Sequence, residues 1–339
     1  MPALLLFSLA TLAPVPLIAA AGVWGGAWVL VALFYMTTLT YLLDQLVAVV
    51  TDPVDGAEFP AADALSIVLA VAHFGLLAVV VWALGAGRLG LAEGIGLVIA
   101  AGLWFGQVSN SNAHELIHRG ARPLHQLGRA IFISMLYGHH VSAHVLIHHR
   151  HVATDLDPAT APLGTGFWSY IPRAWAGAFR AGFQAEAARL ERVGRSRAHN
   201  PYWLYLGGAA VFCAAALALG GLAGLAGYLA AVGYAQLQLM LSDYVQHYGL
   251  RRRIDETGRV EAVGPAHSWN APQWFTGAMM LNAPRHSDHH AHPARPFPAL
   301  TIEPGAPTLP RSLPAMATIA LVPPLWRRVM DRRVRALAA

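Results

Sequence analysis

From Met1 to Gly87 the chain contains no lysine and no arginine. A membrane span needs about 20 mostly apolar residues to cross about 30 Å of hydrocarbon. The segments at about 4–22, 26–48 and 64–85 meet that length, and 91–112, 202–219 and 222–246 follow. Hydrocarbon offers the backbone no hydrogen-bond partner, so apolar stretches of this kind cross as helices. The sequence therefore predicts an all-α integral membrane protein with about six transmembrane helices, forming a single domain over 1–339. Composition points the same way. Residues are 56% hydrophobic and 12% charged, whereas soluble domains carry about 25% charged residues.

The first apolar run lacks the charged start of a cleaved secretory signal and reads as a span, kinked at Pro14 and Pro16. "GVWGG" separates it from the second. "GGLAGLAG" at 220–227 is expected to be the tight link between spans five and six. All 23 basic residues are arginine. Apart from Arg88 they fall in two polar parts, 10 within 113–201 and 12 within 247–339. Positive charge marks the cytoplasmic side, so both parts are expected there, together with the N-terminus and the acidic loop of Asp52, Asp55, Glu58 and Asp63. The lone Cys213 excludes an internal disulfide or a CxxC site and reads as a packing residue. Nothing in the sequence points to nucleic acid.

Seventeen histidines nearly match the eighteen acids in number. "NSNAHELIHRG" places His114 and His118 at i and i+4, on one face if the fourth helix continues. Alone, its HExxH pattern would fit a zinc protease with Glu115 as base. "SAHVLIHHRHVATDLDPATA" places His144 and His148 one turn apart with His149 adjacent, and His139, His140 and His151 around them. "LSDYVQHYGLRRR" ends the sixth span with His247. "NAPRHSDHHAHPARPFP" brings His286, His289 and His290 within one turn before Pro293 and Pro296 stop a helix. His292 is left over and is expected to be outer-sphere or exposed.

Nine imidazoles near the same ends of the spans are too many for one metal and suit two. Imidazole serves iron, zinc, copper and nickel alike. Ligating histidines need a partner on the other ring nitrogen, for which Glu115, Asp155, Asp157, Asp243 and Asp288 are candidates; one of them could be a direct ligand. A zinc protease built on the first pair would leave seven histidines unexplained. A metal carrier would place histidines along the spans instead of beyond one face.

The motifs "HELIHR", "HVLIHHRHVATDLDPATA", "DYVQHYGL" and "NAPRHSDHHAHPARPFPAL" resemble those of the alkane 1-monooxygenase family, within the membrane desaturase and hydroxylase superfamily. The resemblance covers most of residues 100–310. It implies a non-haem di-iron centre of two Fe ions held by His114, His118, His144, His148, His149, His247, His286, His289 and His290. It implies hydroxylation of the terminal methyl of medium-chain alkanes with O₂, in a bacterial inner membrane, with the active site towards the cytoplasm. Ala143 and Ile147 depart from the residues common at those positions and put chain-length preference in question. Xylene-type hydroxylases and fatty-acyl desaturases or hydroxylases are the nearest alternatives.

The chain has neither a CxxC pair nor a GxGxxG fingerprint, so electrons must come from outside. The resemblance implies rubredoxin or ferredoxin with its reductase. Arg251, Arg252 and Arg253 are the expected docking residues for that acidic donor, while the C-terminal "RRVMDRRVR" serves equally to contact anionic lipid. Trp24, Trp28, Phe34 and Trp104 are expected either to set the depth of the substrate or to face lipid and neighbouring helices.

Overall fold

The computed structural model describes residues 3–46 and 61–338; Asp52, Asp55 and Glu58 lie outside the described residues. Among those described, five helices are long and apolar enough to cross a membrane: Leu4–Trp24, Ala27–Gln45, Ala62–Gly85, Leu91–Ile117 and Tyr202–Gln246. No β-strand accompanies them among the described residues, only two isolated bridges. The protein is an all-helical integral membrane protein.

The last of these helices joins two of the expected spans. At 45 residues it would be about twice the length a bilayer requires, but at Gly221 the backbone leaves helical geometry, with φ 59° and ψ −160°. Only glycine enters that region without strain. The bend brings Gly220 onto the third helix, where an added Cβ would stand 2.6 Å from the carbonyl oxygen of Val81. In the first helix, Ala13 separates Ala3–Leu12 from Pro14–Trp24, because Pro14 and Pro16 have no amide hydrogen to give the preceding turn.

The fourth helix runs through Asn112 to Ile117, five residues beyond the expected end. One turn of it, Phe105–Ser109, is π-helical, as is Tyr35–Leu39 in the second helix. The first arginine-rich part is largely helical as well, while the second alternates loops with short helices before its last one. Arg122–Ser134 packs on the end of the fourth helix at Gly128, where an added Cβ would stand 2.8 Å from the carbonyl oxygen of Ala113; Phe167–Arg192 follows, and Leu313–Ala320 and Pro323–Ala338 come last. Tyr244, Tyr248 and Trp326 form the aromatic core that holds Pro323–Ala338 in place.

Buried polar groups tie the spans together. His73, in the middle of the third helix, is held by the hydroxyls of Ser109 at 2.5 Å and Ser134 at 2.7 Å. Asp44, at the end of the second, accepts the amides of Phe275 and Thr276 at 3.1 Å each and the Thr276 hydroxyl at 2.6 Å. A buried carboxylate persists only when so satisfied.

The aromatic residues expected either to set substrate depth or to face lipid and neighbouring helices lie on the outer surface of the helices or pack between them. Trp24 and Trp28, at the adjoining ends of the first two helices, are exposed, as aromatic residues near the edges of a bilayer commonly are, and Phe34 is exposed along the second helix. Trp104 is fully buried and donates to the carbonyl of Thr11 at 2.9 Å, packing the first helix on the fourth.

Candidate metal centre

The nine histidines come together as two groups. His114, His118, His144, His149 and His289 form one; His148, His247, His286 and His290 form the other. Within each group one ring nitrogen per residue lies within 4.8 Å of all the rest.

Local helical geometry sets this division. Residues 144–148 form a π-helical turn, in which the amide of His149 reaches back to the carbonyl of His144. A π turn stacks i over i+5. His149 therefore faces His144, with their Nε2 atoms 2.9 Å apart, and His148 is rotated into the second group. In the ordinary helix His286–Ala291 the i and i+4 residues pair instead: His286 and His290 meet at 3.1 Å. His289, between them, points to the first group and meets His149 at 3.2 Å.

Each group has a hub. His144 Nε2 faces His114 Nε2 at 2.7 Å as well as His149. His286 Nε2 faces His247 Nε2 at 3.0 Å as well as His290. An imidazole nitrogen carries either one proton or one lone pair, so protons alone do not satisfy such three-way contacts. A cation does. Ligands about 2.1 Å from a metal and at right angles to one another stand about 3 Å apart, the spacing found here. The Nε2 atoms of His118 and His148 are buried without a protein partner, as free donor atoms would be. The residues fit a metal in each group.

Electrostatics support the ligand form. Burial, then the charge of neighbouring histidines, holds His144, His149, His247, His289 and His290 well below the usual imidazole range. Burial chiefly brings His118 down to about 4 and His286 to about 3. These rings are neutral at pH 7, with a lone pair to give. His148 differs. Burial pushes it down, but Asp157, with the nearby charge of Asp243, outweighs that and carries it up. The Asp157 carboxylate accepts from His148 Nδ1 at 2.9 Å, which aims Nε2 at the metal position, and is itself held by the Thr160 hydroxyl at 2.7 Å.

Of the other acids expected beside the ligands, Asp243 lines the cavity next to His144 and His286. Three do other work. Glu115 pairs with Arg119 at 2.9 Å and accepts the amide of Phe297 at 3.2 Å, tying the fourth helix to the segment after the third histidine box. Asp155 is exposed and pairs with Arg251 at 2.6 Å. Asp288 accepts from Arg295, His292 and the amide of Thr301, so it folds the loop beyond His290. His292 is half exposed and held by that carboxylate. His140, buried and stacked 4.9 Å from His144, belongs to neither group.

The arginines after His247 are not equivalent. Arg252 spends its guanidinium on the carbonyls of Arg150 and Glu261, whereas Arg251 and Arg253 are exposed.

A chamber of about 430 Å³ is lined by Met36, Leu103, Tyr234, Leu237 and Leu241 among others. A cavity of about 30 Å³, lined by His114, His144 and His286 among others, shares the wall residues Ser242 and Met280 with it.

Comparison with known proteins agrees with this geometry. The fatty acid desaturase family profile matches residues 88–302. The chain is 34% identical to alkane 1-monooxygenase 2 of Alcanivorax borkumensis over 73% of its own length and 65% of that protein's. It is 34% identical to alkane 1-monooxygenase 1 of Pseudomonas aeruginosa, over 78% of this chain and 71% of that one. A more distant relative, the xylene/toluene monooxygenase hydroxylase component XylM of Pseudomonas putida, is 29% identical over 74% of this chain and 68% of that one. The chain thus spans about two thirds of the length of these relatives. With the histidine boxes in place and this extent of identity, the chain belongs to the alkane 1-monooxygenase family, within the fatty acid desaturase group.

Proposed function

We propose that the protein is a non-haem di-iron monooxygenase of the bacterial inner membrane. It converts the terminal methyl of medium-chain n-alkanes to a 1-alcohol, using O₂ and two electrons from a reduced rubredoxin-type donor. Six spans, counting the two arms of Tyr202–Gln246 separately, and the arginine content of both polar parts support a topology with those parts and the histidines on the cytoplasmic side.

One observation carries the reading: two histidine groups, each fit for a metal, adjoin a small cavity that shares Ser242 and Met280 with a mainly apolar chamber. Iron bound there would supply dioxygen activation and the oxidation of a C–H bond. The balance is one alkane, one O₂, two electrons and two protons, giving one alcohol and one water. The nine imidazoles provide neutral ligands. Asp157 fixes the tautomer of His148. The chamber's mainly apolar lining suits a chain that has no polar handle, at a volume within the usual range of small-molecule sites. The 30 Å³ cavity admits little more than a methyl group or a diatomic molecule.

The test is turnover of a panel of alkanes, alkylbenzenes and fatty acyl substrates under ¹⁸O₂, with iron measured per chain. Octane-range alkanes should give labelled 1-alcohol from protein holding two irons. Unlabelled alcohol, an alkene as the main product, or one zinc in fully active protein would overturn the proposal. Oxidation of an aromatic methyl is the second reading, favoured by the likeness to XylM, and the same panel separates the two.

A further inference from the structure

The chamber and the small cavity share two wall residues, Ser242 and Met280. Ser242 is short, and its hydroxyl is taken by Gln246 Oε1 at 2.7 Å. Met280 is long, apolar and 5% exposed. It therefore fills the boundary between the space suited to a hydrocarbon and the space beside the histidines.

Its backbone is held on both sides. Before it, the short helix Trp274–Met279 is fastened to the second span by the Asp44 hydrogen bonds and by Trp274 Nε1, which donates to the carbonyl of Leu43 at 3.0 Å. After it, Leu281 and Asn282 both take positive φ, 47° and 54°. Asparagine tolerates that region, but a leucine there is strained. Such strain persists where the surroundings over-determine it, and it clusters at functional sites. Here the surroundings are visible: the Asn282 amide bonds the carbonyl of Gly277 at 2.7 Å, and its side chain bonds the carbonyl of Phe297 at 2.9 Å. This turn leads into the helix carrying His286, His289 and His290. One strained corner thus fixes Met280 relative to three of the nine histidines.

We propose that Met280 is the partition that sets how far a hydrocarbon chain enters, and so decides which carbon reaches the histidine-lined cavity. This rests on the hydrocarbon reading above. The thioether is unbranched and flexible, so it gives way to a slender methyl end and resists a branched or ring-bearing one.

Two substitutions test it in protein held in lipid nanodiscs. Met280→Ala removes three heavy atoms and leaves room for about three more methylene-sized groups. In metal-free protein, the longest n-alkane taken up from a labelled series should lengthen by about two to three carbons. In iron-loaded protein, the product should shift from 1-alcohol alone towards a mixture with 2-alcohol, and alkylbenzenes should gain relative to octane. Met280→Phe plugs the neck, so octane uptake should stay within about twofold of wild type while turnover falls at least tenfold. Iron content near wild type shows that each variant is folded. Unchanged uptake length and product position in Met280→Ala, or wild-type turnover in Met280→Phe, overturns the proposal. If the wild type oxidises none of these substrates, the function reading fails, and the uptake series still decides whether Met280 bounds the chamber.

Discussion

The two histidine groups share the segments 144–149 and 286–290, yet they differ in number and in support. The first has five rings, of which His114, His118 and His149 are only partly enclosed. Its ligands come from the end of the fourth span, the π turn and the middle of the last box. The second has four rings, all buried, and adds His247 from the end of the longest helix. Among the described residues, only the second has an acid bonded directly to a ligand, Asp157 on His148. The difference shows two ways of securing a cation. One offers more donors in a roomier place. The other offers fewer donors that are enclosed and oriented from outside.

The largest expected effect comes from the hubs. His144→Ala should empty the group of five and His286→Ala the group of four, each halving bound iron and abolishing turnover, as read by metal analysis and alcohol formation. Helical circular dichroism should be preserved. Non-hub ligands sharpen the contrast. His118→Ala leaves four donors in its group, whereas His290→Ala leaves three, so iron retention after dialysis should be greater in the first. Equal loss in both would mean that the groups are not independent sites of unequal redundancy.

A smaller and more selective effect is expected at Asp157. Outer partners of ligating histidines typically contribute 10–100-fold to metal affinity. Asp157→Asn should weaken binding at the group of four by about that factor and leave the group of five as it was, seen as one tight and one loosened class in a chelator competition. Asp155→Asn should change neither. If both classes loosen together, Asp157 serves the fold of the loop more than its ligand.

Much of this was legible in the sequence for identifiable reasons. Apolar length reveals the spans, since hydrocarbon demands it. HxxxH and HxxHH reveal imidazoles that can meet. Their division into five and four was not legible, because it depends on a π turn, and nothing in "HVLIH" announces a hydrogen bond five residues back in place of four. The choice among nearby acids was hidden too. Asp155 and Asp157 are two residues apart, but one faces solvent and Arg251 while the other is buried against His148. Asp44 and His73 went unnoticed, although an ionisable group inside an apolar run is a signal in its own right. Each proves to tie distant segments together.

The smallest expected effect concerns the approach of the electron donor, and it tests whether the two groups also differ in access from the water side. His247, in the group of four, is followed within six residues by Arg251, Arg252 and Arg253. Arg252 holds the carbonyls of Arg150 and Glu261, so its replacement should lower stability whatever the donor does. Arg251 and Arg253 are exposed, and the partner of Arg251, Asp155, is itself largely open to solvent. Exposed charges of this kind contribute little to folding but steer an oppositely charged protein, over a range of about 8 Å at physiological salt. The double variant Arg251→Glu with Arg253→Glu should therefore raise the apparent KM for an acidic donor by about threefold to tenfold, with the KM for alkane and the melting temperature nearly unchanged. Raising salt should erase most of the difference between variant and wild type. Arg335→Glu, on the C-terminal helix, serves as the control for a general loss of positive charge and should have a lesser effect. If it weakens donor turnover as much as the double variant, electrons enter over a broad basic surface, and the group of four has no privileged access.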